Sequence, residues 1–257
     1  MFKNDAMSGS IATRTALETV RADSAALLDI GAGLTGEQWQ APSGCQGWRV
    51  QDVVTHLANL FWLLVDPAKL PPLDGLRTEQ AQEAAVQARR GMSGAAALAD
   101  YKDAAGPGLE QLAQLETLDM EVPLGDLGTY RAALLPAAYS FDHYTHIRAD
   151  LFEPRGPLST TEPPSDPARL APVLDWIEAA LPQQNHAATL ACSLRLEVTG
   201  AGARSISFGS GQPTAIVRSD GPSLVRWVTQ RGSWAELGVR ATGDAVALAT
   251  ARTLKVF

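Results

Sequence analysis

The segment FDHYTHIRADL carries the residues best suited to chemistry. In it Asp142 and His146 stand four positions apart, so on a helix both side chains project from one face. Their neighbours on that face are small and leave room for an ion and a ligand: Ala138, Thr145 and Ala149. His143 is a rival ligand, because it lies only about 60° from His146 around such a helix. An Asp–His ion pair on a solvated helix face would have the same spacing.

A second candidate ligand, His56, lies in residues 50–65, whose apolar side chains recur at helical spacing. His56 stands about 100° from the centre of this apolar stripe, at the edge of the face that would be buried. Two histidines and one carboxylate from two helices can form a three-ligand site with open positions. Such a site suits zinc with a free fourth position, or iron(II) held by a facial triad.

Helical patterns run through the first 150 residues, and they predict the elements that would position these side chains. Four segments have few helix breakers, and together they indicate an antiparallel four-helix bundle. The third segment, residues 78–118, is one helix or two, broken at residues 91–94 or 106–108. In the fourth, residues 131–152, Pro136 must lie in the first turn or kink the helix. The segments are residues 11–33, 50–65, 78–118 and 131–152.

The chain changes character after residue 153. Six prolines between residues 153 and 172 predict an exposed connection, followed by a short helix from about residue 166 to 181. Alternating apolar residues then predict strands and a small α+β domain. The expected domains are residues 1–160, a linker with the short helix over 161–189, and 190–257. Within the last domain we expect strands over 190–198, 204–208, 214–218 and 238–242, and helices over 222–231 and 244–256.

Composition excludes several classes of protein. Apolar residues make up 46% of the 257 residues and charged residues 19%, which is typical of a folded chain rather than a disordered one. The net charge of −7 argues against a nucleic-acid binder. There is neither an apolar run of about 20 residues nor a secretory signal, so we expect no membrane association. Two distant cysteines, Cys45 and Cys192, predict no disulfide framework and a cytoplasmic location.

Two motifs and the C-terminal part carry a resemblance to a known family. The chain resembles the mycothiol-dependent maleylpyruvate isomerase family, within the DinB-like superfamily of four-helix bundles, and its last part is similar to the sterol-carrier-like α+β domain of that family. The C-terminal similarity rests on the helix around Trp227, the VRATGD turn and the final helix. The first motif is formed by Trp39, Pro42, Cys45, Trp48, Asp52 and His56, and the second by Asp142, His146, Asp150 and Leu151.

The resemblance implies a divalent metal, usually zinc, bound by His56, Asp142 and His146; iron, nickel or manganese would also suit these ligands. Two residues depart from the family pattern. Asp142 stands where the family often has glutamate, which is one methylene longer. Arg49 replaces the serine or threonine that often caps the second helix, so the cap hydrogen bond is lost, although Asp52 keeps a negative charge in the first turn.

The resemblance also implies an activity. A metal-bound thiol, mycothiol in actinobacterial relatives, would act as nucleophile for isomerisation or S-transfer on a small electrophilic or acidic substrate, in a monomer or homodimer. Two alternatives stay open. They are a metal-dependent hydrolase with the same ligands, and a non-catalytic protein that carries an apolar ligand in its C-terminal domain. Candidate substrate contacts are Arg218, Arg226 and Arg231 of the basic C-terminal part, together with His143.

Overall fold

The computed structural model of the chain describes residues 15–257 and has an α+β fold in two parts. In the first part four long helices, α1, α3, α5 and α6, pack against one another as the predicted bundle. Residues 11–14 of the first predicted helix lie outside the described residues. The helices of this part are α1 (Ala16–Ala32), α2 (Gly36–Gln40), α3 (Val50–Val65), α4 (Thr78–Ala88), α5 (Gly94–Leu115) and α6 (Leu135–Thr145).

Helix α3 has the bounds that its apolar stripe predicts, and it is buried over nearly its whole length. The Arg49 side chain makes no cap hydrogen bond to the helix. Instead the backbone N–H of Arg49 donates to the Asp52 carboxylate at 2.9 Å, and the Arg49 guanidinium pairs with the same group. The start of α3 is therefore held by a carboxylate in its first turn, where the helix dipole favours negative charge.

The middle of the bundle differs in detail from the prediction. The segment 78–118 is two helices, separated at the first of the two expected breaks, and Pro107 lies inside α5. A hairpin of β1 (Glu121–Pro123) and β2 (Thr129–Arg131), which the sequence did not predict, precedes α6. Pro136 lies in the first turn of α6. After Thr145 the chain continues as a π-helix over His146–Leu151.

The connection before the second part is largely exposed, as expected, but hydrogen bonds hold its end against the bundle. The Tyr144 hydroxyl donates to the Ser165 hydroxyl at 2.7 Å, and Arg148 donates to the Pro164 carbonyl at 3.0 Å. The helix that follows, α7 (Pro167–Gln184), begins after the N-cap Asp166 as predicted, but it is longer than predicted. Its apolar face is buried against α6 and against the sheet of the second part, so α7 belongs to the core.

The second part is a four-stranded mixed sheet with the order β4-β3-β5-β6. Strand β3 pairs antiparallel with β4 and parallel with β5, and β6 pairs antiparallel with β5. The strand predicted to begin at residue 190 begins later, because helix α8 (His186–Ala191) precedes it. The other elements are β3 (Leu194–Thr199), β4 (Arg204–Phe208), β5 (Ala215–Asp220), α9 (Gly221–Val228), β6 (Arg240–Gly243) and α10 (Ala245–Ala251).

Two apolar cores hold the molecule together. One lies inside the bundle around α3, and the other lies between α7 and the sheet. Helix α6 contributes to both: Leu135 and Tyr139 are buried in the first core, whereas Phe141 and Tyr144 are buried in the second. None of the helices in residues 15–257 is long and apolar enough to cross a membrane.

Candidate metal centre

Three side chains meet at one point, although one of them comes from a helix distant in sequence from the other two. His56 comes from α3, Asp142 from α6 and His146 from the first residue of the π-helix. One ligand atom of each lies within 4.8 Å of the others, and Asp142 Oδ1 is 4.0 Å from His146 Nε2. The two imidazole rings meet edge to face, with centroids 4.7 Å apart. The structure thus brings together the residues that the two motifs contribute.

His56 is the most informative of the three residues. Its ring is buried, and neither Nδ1 nor Nε2 makes a hydrogen bond of normal geometry among residues 15–257, although the Gln82 side chain lies near the ring. A buried polar atom without a partner costs on the order of 1–3 kcal/mol, so such atoms are rare and need an explanation. A cation in front of the ring would use the lone pair of one nitrogen. The donor set therefore fits a divalent ion.

The electrostatics of the site agree with this fit. Burial, reinforced by the neighbouring His146, lowers the pKa of His56 well below its usual value, so the ring is neutral at pH 7. Burial raises the pKa of Asp142, although His146 and Arg231 oppose that shift. A carboxylate that is costly to ionise in isolation gains from an adjacent divalent cation.

The orientation of His146 is set from the side opposite Asp142. Its Nδ1 lies 2.8 Å from the Asp150 carboxylate, which is fully buried. Asp150 in turn accepts hydrogen bonds from the guanidinium of Arg231, the shortest at 2.6 Å. Arg231 lies beyond the end of α9, so this contact joins the second part of the molecule to the site.

Trp48 forms a wall of the site. Its ring stacks on His146 with centroids 6.2 Å apart, and it lies 5.2 Å from the ring of His56. The indole N–H donates to Glu83 of α4 at 2.6 Å. The sequence placed Trp48 in the first motif but did not show its contact with both histidines. Its place in the first motif, eight residues before His56, was the available signal.

His143, the rival ligand, faces away from the other three residues into the bundle core. Its Nδ1 lies 2.8 Å from the Tyr139 carbonyl, and its Nε2 lies 2.8 Å from the Tyr101 hydroxyl. Burial lowers its pKa to about 4. Both ring nitrogens are thus engaged, and a fully buried ring is not available to a substrate. The expected roles of His143 as ligand or substrate contact do not fit this position.

The three candidate arginines lie in different environments. Arg231 is engaged with Asp150. Arg218 pairs with Glu197 across the sheet at 2.5 Å and is half exposed. Arg226 lies 4.0 Å from Glu162 and lines a small cleft between α9 and the end of α6. The structure therefore separates the three side chains rather than gathering them around one substrate.

Cys45 lies in the loop before α3, near Asp150 and Arg231. Burial, with a smaller contribution from Asp150, raises the pKa of its thiol to about 11. A protonated thiol is a poor nucleophile. Cys45 is therefore poorly suited to act as a nucleophile at neutral pH.

Comparisons with known proteins agree with this geometry. The family model described as mycothiol maleylpyruvate isomerase N-terminal domain matches residues 20–152, which is more than half of the chain. The chain belongs to this family. The match extends from α1 through the π-helix and therefore includes all three candidate ligands. No curated protein matches the chain in sequence.

Two solved structures are similar to both parts of this chain, including the second part, which the family model does not match. The crystal structure of the mycothiol-dependent maleylpyruvate isomerase superposes with a TM-score of 0.57 at 17% identity, over 90% of this chain and 93% of that one. A histidine-to-alanine mutant of that enzyme gives a TM-score of 0.52 at 16% identity, with the same coverage. At such identities the likeness establishes the two-part fold.

Proposed function

We propose that this chain is a metal-dependent enzyme that uses a low-molecular-weight thiol as its nucleophile. The reaction is isomerisation or S-transfer on a small electrophilic substrate. The observation that carries the proposal is the buried His56 ring: neither nitrogen makes a hydrogen bond of normal geometry, and one of them lies within 4.8 Å of the ligand atoms of Asp142 and His146. This arrangement of donors is costly without a cation and is favourable with one.

The chain's own residues would hold the ion and define the space beside it. His56 and His146 offer neutral nitrogen donors, and Asp142 offers a carboxylate that offsets part of the positive charge. Three protein ligands leave a position for an exogenous molecule. When bound, a divalent ion, which we propose to be zinc, supplies Lewis acidity that lowers the pKa of a thiol or water in that position. Trp48 restricts access to the space next to both rings.

The nucleophilic thiol has to come from outside the chain. Burial raises the pKa of Cys45 to about 11 and also raises the pKa of Cys192. Both thiols are therefore mostly protonated at neutral pH and are poor nucleophiles. The enzyme whose structure superposes on the chain is named as mycothiol-dependent and as a maleylpyruvate isomerase. We propose mycothiol as the cosubstrate and maleylpyruvate as the first substrate to assay.

The test uses the full chain purified without chelators. We expect one divalent ion per chain and, after replacement with cobalt, a sulfur-to-metal charge-transfer band that grows as mycothiol is added. His56→Ala should lose both the ion and the band. His186→Ala is the matched control, because His186 begins α8 and is not one of the three clustered residues. A protein that takes up no zinc, iron, nickel or manganese at micromolar concentration would contradict the proposal. Turnover that needs the ion but no thiol would favour a hydrolase.

A further inference from the structure

Asp150 is a fully buried carboxylate with two different partners on its two sides. It accepts a hydrogen bond from His146 Nδ1 at 2.8 Å, because an ionised carboxylate can only accept. It also accepts from Arg231 Nε at 2.9 Å and from Arg231 Nη2 at 2.6 Å. A buried charge without a partner is strongly destabilising, so the carboxylate depends on both neighbours.

The hydrogen bond to Asp150 determines which nitrogen of His146 is free. A neutral imidazole carries one proton, and an ionised Asp150 carboxylate 2.8 Å from Nδ1 favours the tautomer with that proton on Nδ1. The lone pair is then on Nε2, the nitrogen that is 4.0 Å from Asp142 Oδ1. If the proton moved to Nε2, the nitrogen that faces His56 and Asp142 could no longer bind a cation.

Arg231 reaches Asp150 because of the turn that ends α9. Gln230 has a φ of 60°, a left-handed conformation that is uncommon for a residue with a side chain. Its side-chain amide donates to the Leu254 carbonyl at 3.1 Å, which ties the turn to the C-terminal segment. The Arg231 backbone N–H donates to the Arg226 carbonyl, and its Nη1 donates to the Thr229 carbonyl. The guanidinium is therefore held by the second part of the molecule.

We propose that Asp150 and Arg231 are positioning residues that hold His146 in the tautomer able to bind a cation, so that the second part of the molecule sets the metal affinity of the bundle. The inference rests on the proposed metal site. It gives Arg231 a role through Asp150 and His146, in place of a direct contact with substrate. The guanidinium is only 14% exposed and makes three hydrogen bonds with one carboxylate, which leaves it little freedom to serve a second anion.

The tautomer is read directly in the metal-free protein. The chain contains four histidines, so selective ¹⁵N labelling gives four imidazoles, and the His146 signals are those absent from His146→Gln. In the wild-type chain at pH 8 we expect the Nδ1–H form of His146. A wild-type His146 that is mainly Nε2–H would overturn the proposal, whatever the metal affinity.

The variants test the link from Arg231. Arg231→Met should weaken zinc binding by about 10–100-fold, measured by competition with a chromophoric chelator, and should give a mixture of His146 tautomers. Arg231→Lys keeps one positive charge and should retain more of the affinity. Asp150→Asn should resemble Arg231→Met, because an amide can donate to Nδ1 as well as accept from it.

A matched control separates this effect from general loosening of the second part. Arg204 joins β4 to Asp175 of α7 at 2.5 Å and does not contact the site, so Arg204→Met should bind zinc within about twofold of wild type. Equal losses in Arg204→Met and Arg231→Met, or no loss in Arg231→Met and Asp150→Asn, would contradict the proposal. If the wild-type chain binds no metal, the proposed function fails, and the tautomer measurement still decides the role of Asp150.

Discussion

Asp142 is the proposed ligand that departs from the family pattern, in which glutamate is usual. We expect Asp142→Ala to lose most of the bound ion, as His56→Ala and His146→Ala should, because a dication then faces only neutral nitrogens. Asp142→Glu should keep the ion, since it restores a carboxylate with one methylene more reach. Metal content per chain, measured by elemental analysis, decides the outcome. Full occupancy of Asp142→Ala would show that the carboxylate is not a ligand.

His143 provides the control for that experiment, with a second outcome of its own. His143→Ala should keep the ion, because the ring faces Tyr101 and not the site. It should lower the free energy of unfolding by about 2–4 kcal/mol, since a buried ring is removed and two hydrogen-bond partners are left without it. Urea unfolding of the metal-free protein measures this loss. If His143→Ala lost the ion but kept the wild-type free energy of unfolding, His143 would be a metal ligand and not a core residue.

Cys45 should react slowly in spite of its place near the site. Its pKa of about 11 leaves very little thiolate at pH 8, and its side chain is partly buried. Cys192 is also partly buried, but burial raises its pKa less. We expect iodoacetamide to modify Cys192 faster than Cys45, as measured by peptide mass spectrometry. Faster modification of Cys45 would show that its thiolate is stabilised.

At the level of elements, the approach of α5 to α3 depends on a residue without a side chain. A Cβ on Gly108 would lie 2.2 Å from Phe61 Cδ1 and 3.0 Å from Phe61 Cβ. Alanine favours a helix by about 1 kcal/mol over glycine, but overpacking costs about 1–3 kcal/mol. We therefore expect Gly108→Ala to lower the free energy of unfolding in urea. Gly36→Ala, where a new Cβ meets nothing within 4 Å, should be neutral or stabilising.

The sequence predicted elements well where one physical signal dominates. Residues 50–65 carry a continuous apolar stripe, and α3 has those bounds. Tertiary contacts were not predictable from the sequence. Pro164 and Ser165 belong to a proline-rich segment that is largely exposed, as predicted, but no local signal indicated its contacts with Tyr144 and Arg148. Similarly, the π-helix after Thr145 has no periodicity of its own to reveal it.

For the candidate site, the sequence indicated the ligands but not their surroundings. Asp142 and His146 could be paired from spacing within one helix, His56 was a candidate from its place at the edge of a buried helix face, and the family motif joined the three. The contact between Asp150 and Arg231 spans 81 positions and depends on how two cores pack, so no local pattern could predict it. The sequence placed Asp150 in the second motif without showing its surroundings, and the structure buries it completely.

On the scale of the whole molecule, the ion should add stability without being needed for folding. Both cores are extensive, unlike that of a zinc finger, so chelation should leave the helical circular dichroism in place. The free energy of unfolding should fall by about 2.7 kcal/mol if free metal had been near 100 times its dissociation constant. Thermal melting with and without chelator measures the change. Loss of helical signal on chelation would show that the ion is structural.

The two parts should also unfold together. Helix α6 has one face in each core, so neither core can lose its packing without exposing the other. Tryptophans report on both cores, Trp39 and Trp62 in the first and Trp176 and Trp227 in the second. We expect one urea transition in the metal-free protein, with fluorescence and far-ultraviolet circular dichroism coinciding. Two separated transitions would show that the parts are independent.

Because α6 packs in both cores, replacing one part of this chain with the corresponding part of a relative would disrupt native contacts. A chimera joined at residue 160 would place Phe141 and Tyr144 of α6 against the second part of another protein. It would also separate Asp150 from Arg231 of the same chain. A junction near Gly128, before α6, would transfer Phe141, Tyr144 and Asp150 together with their partners, but it would divide the three ligands between two parents. Recombination at either place breaks one of two sets of contacts, so the two parts of this protein are best inherited as one unit.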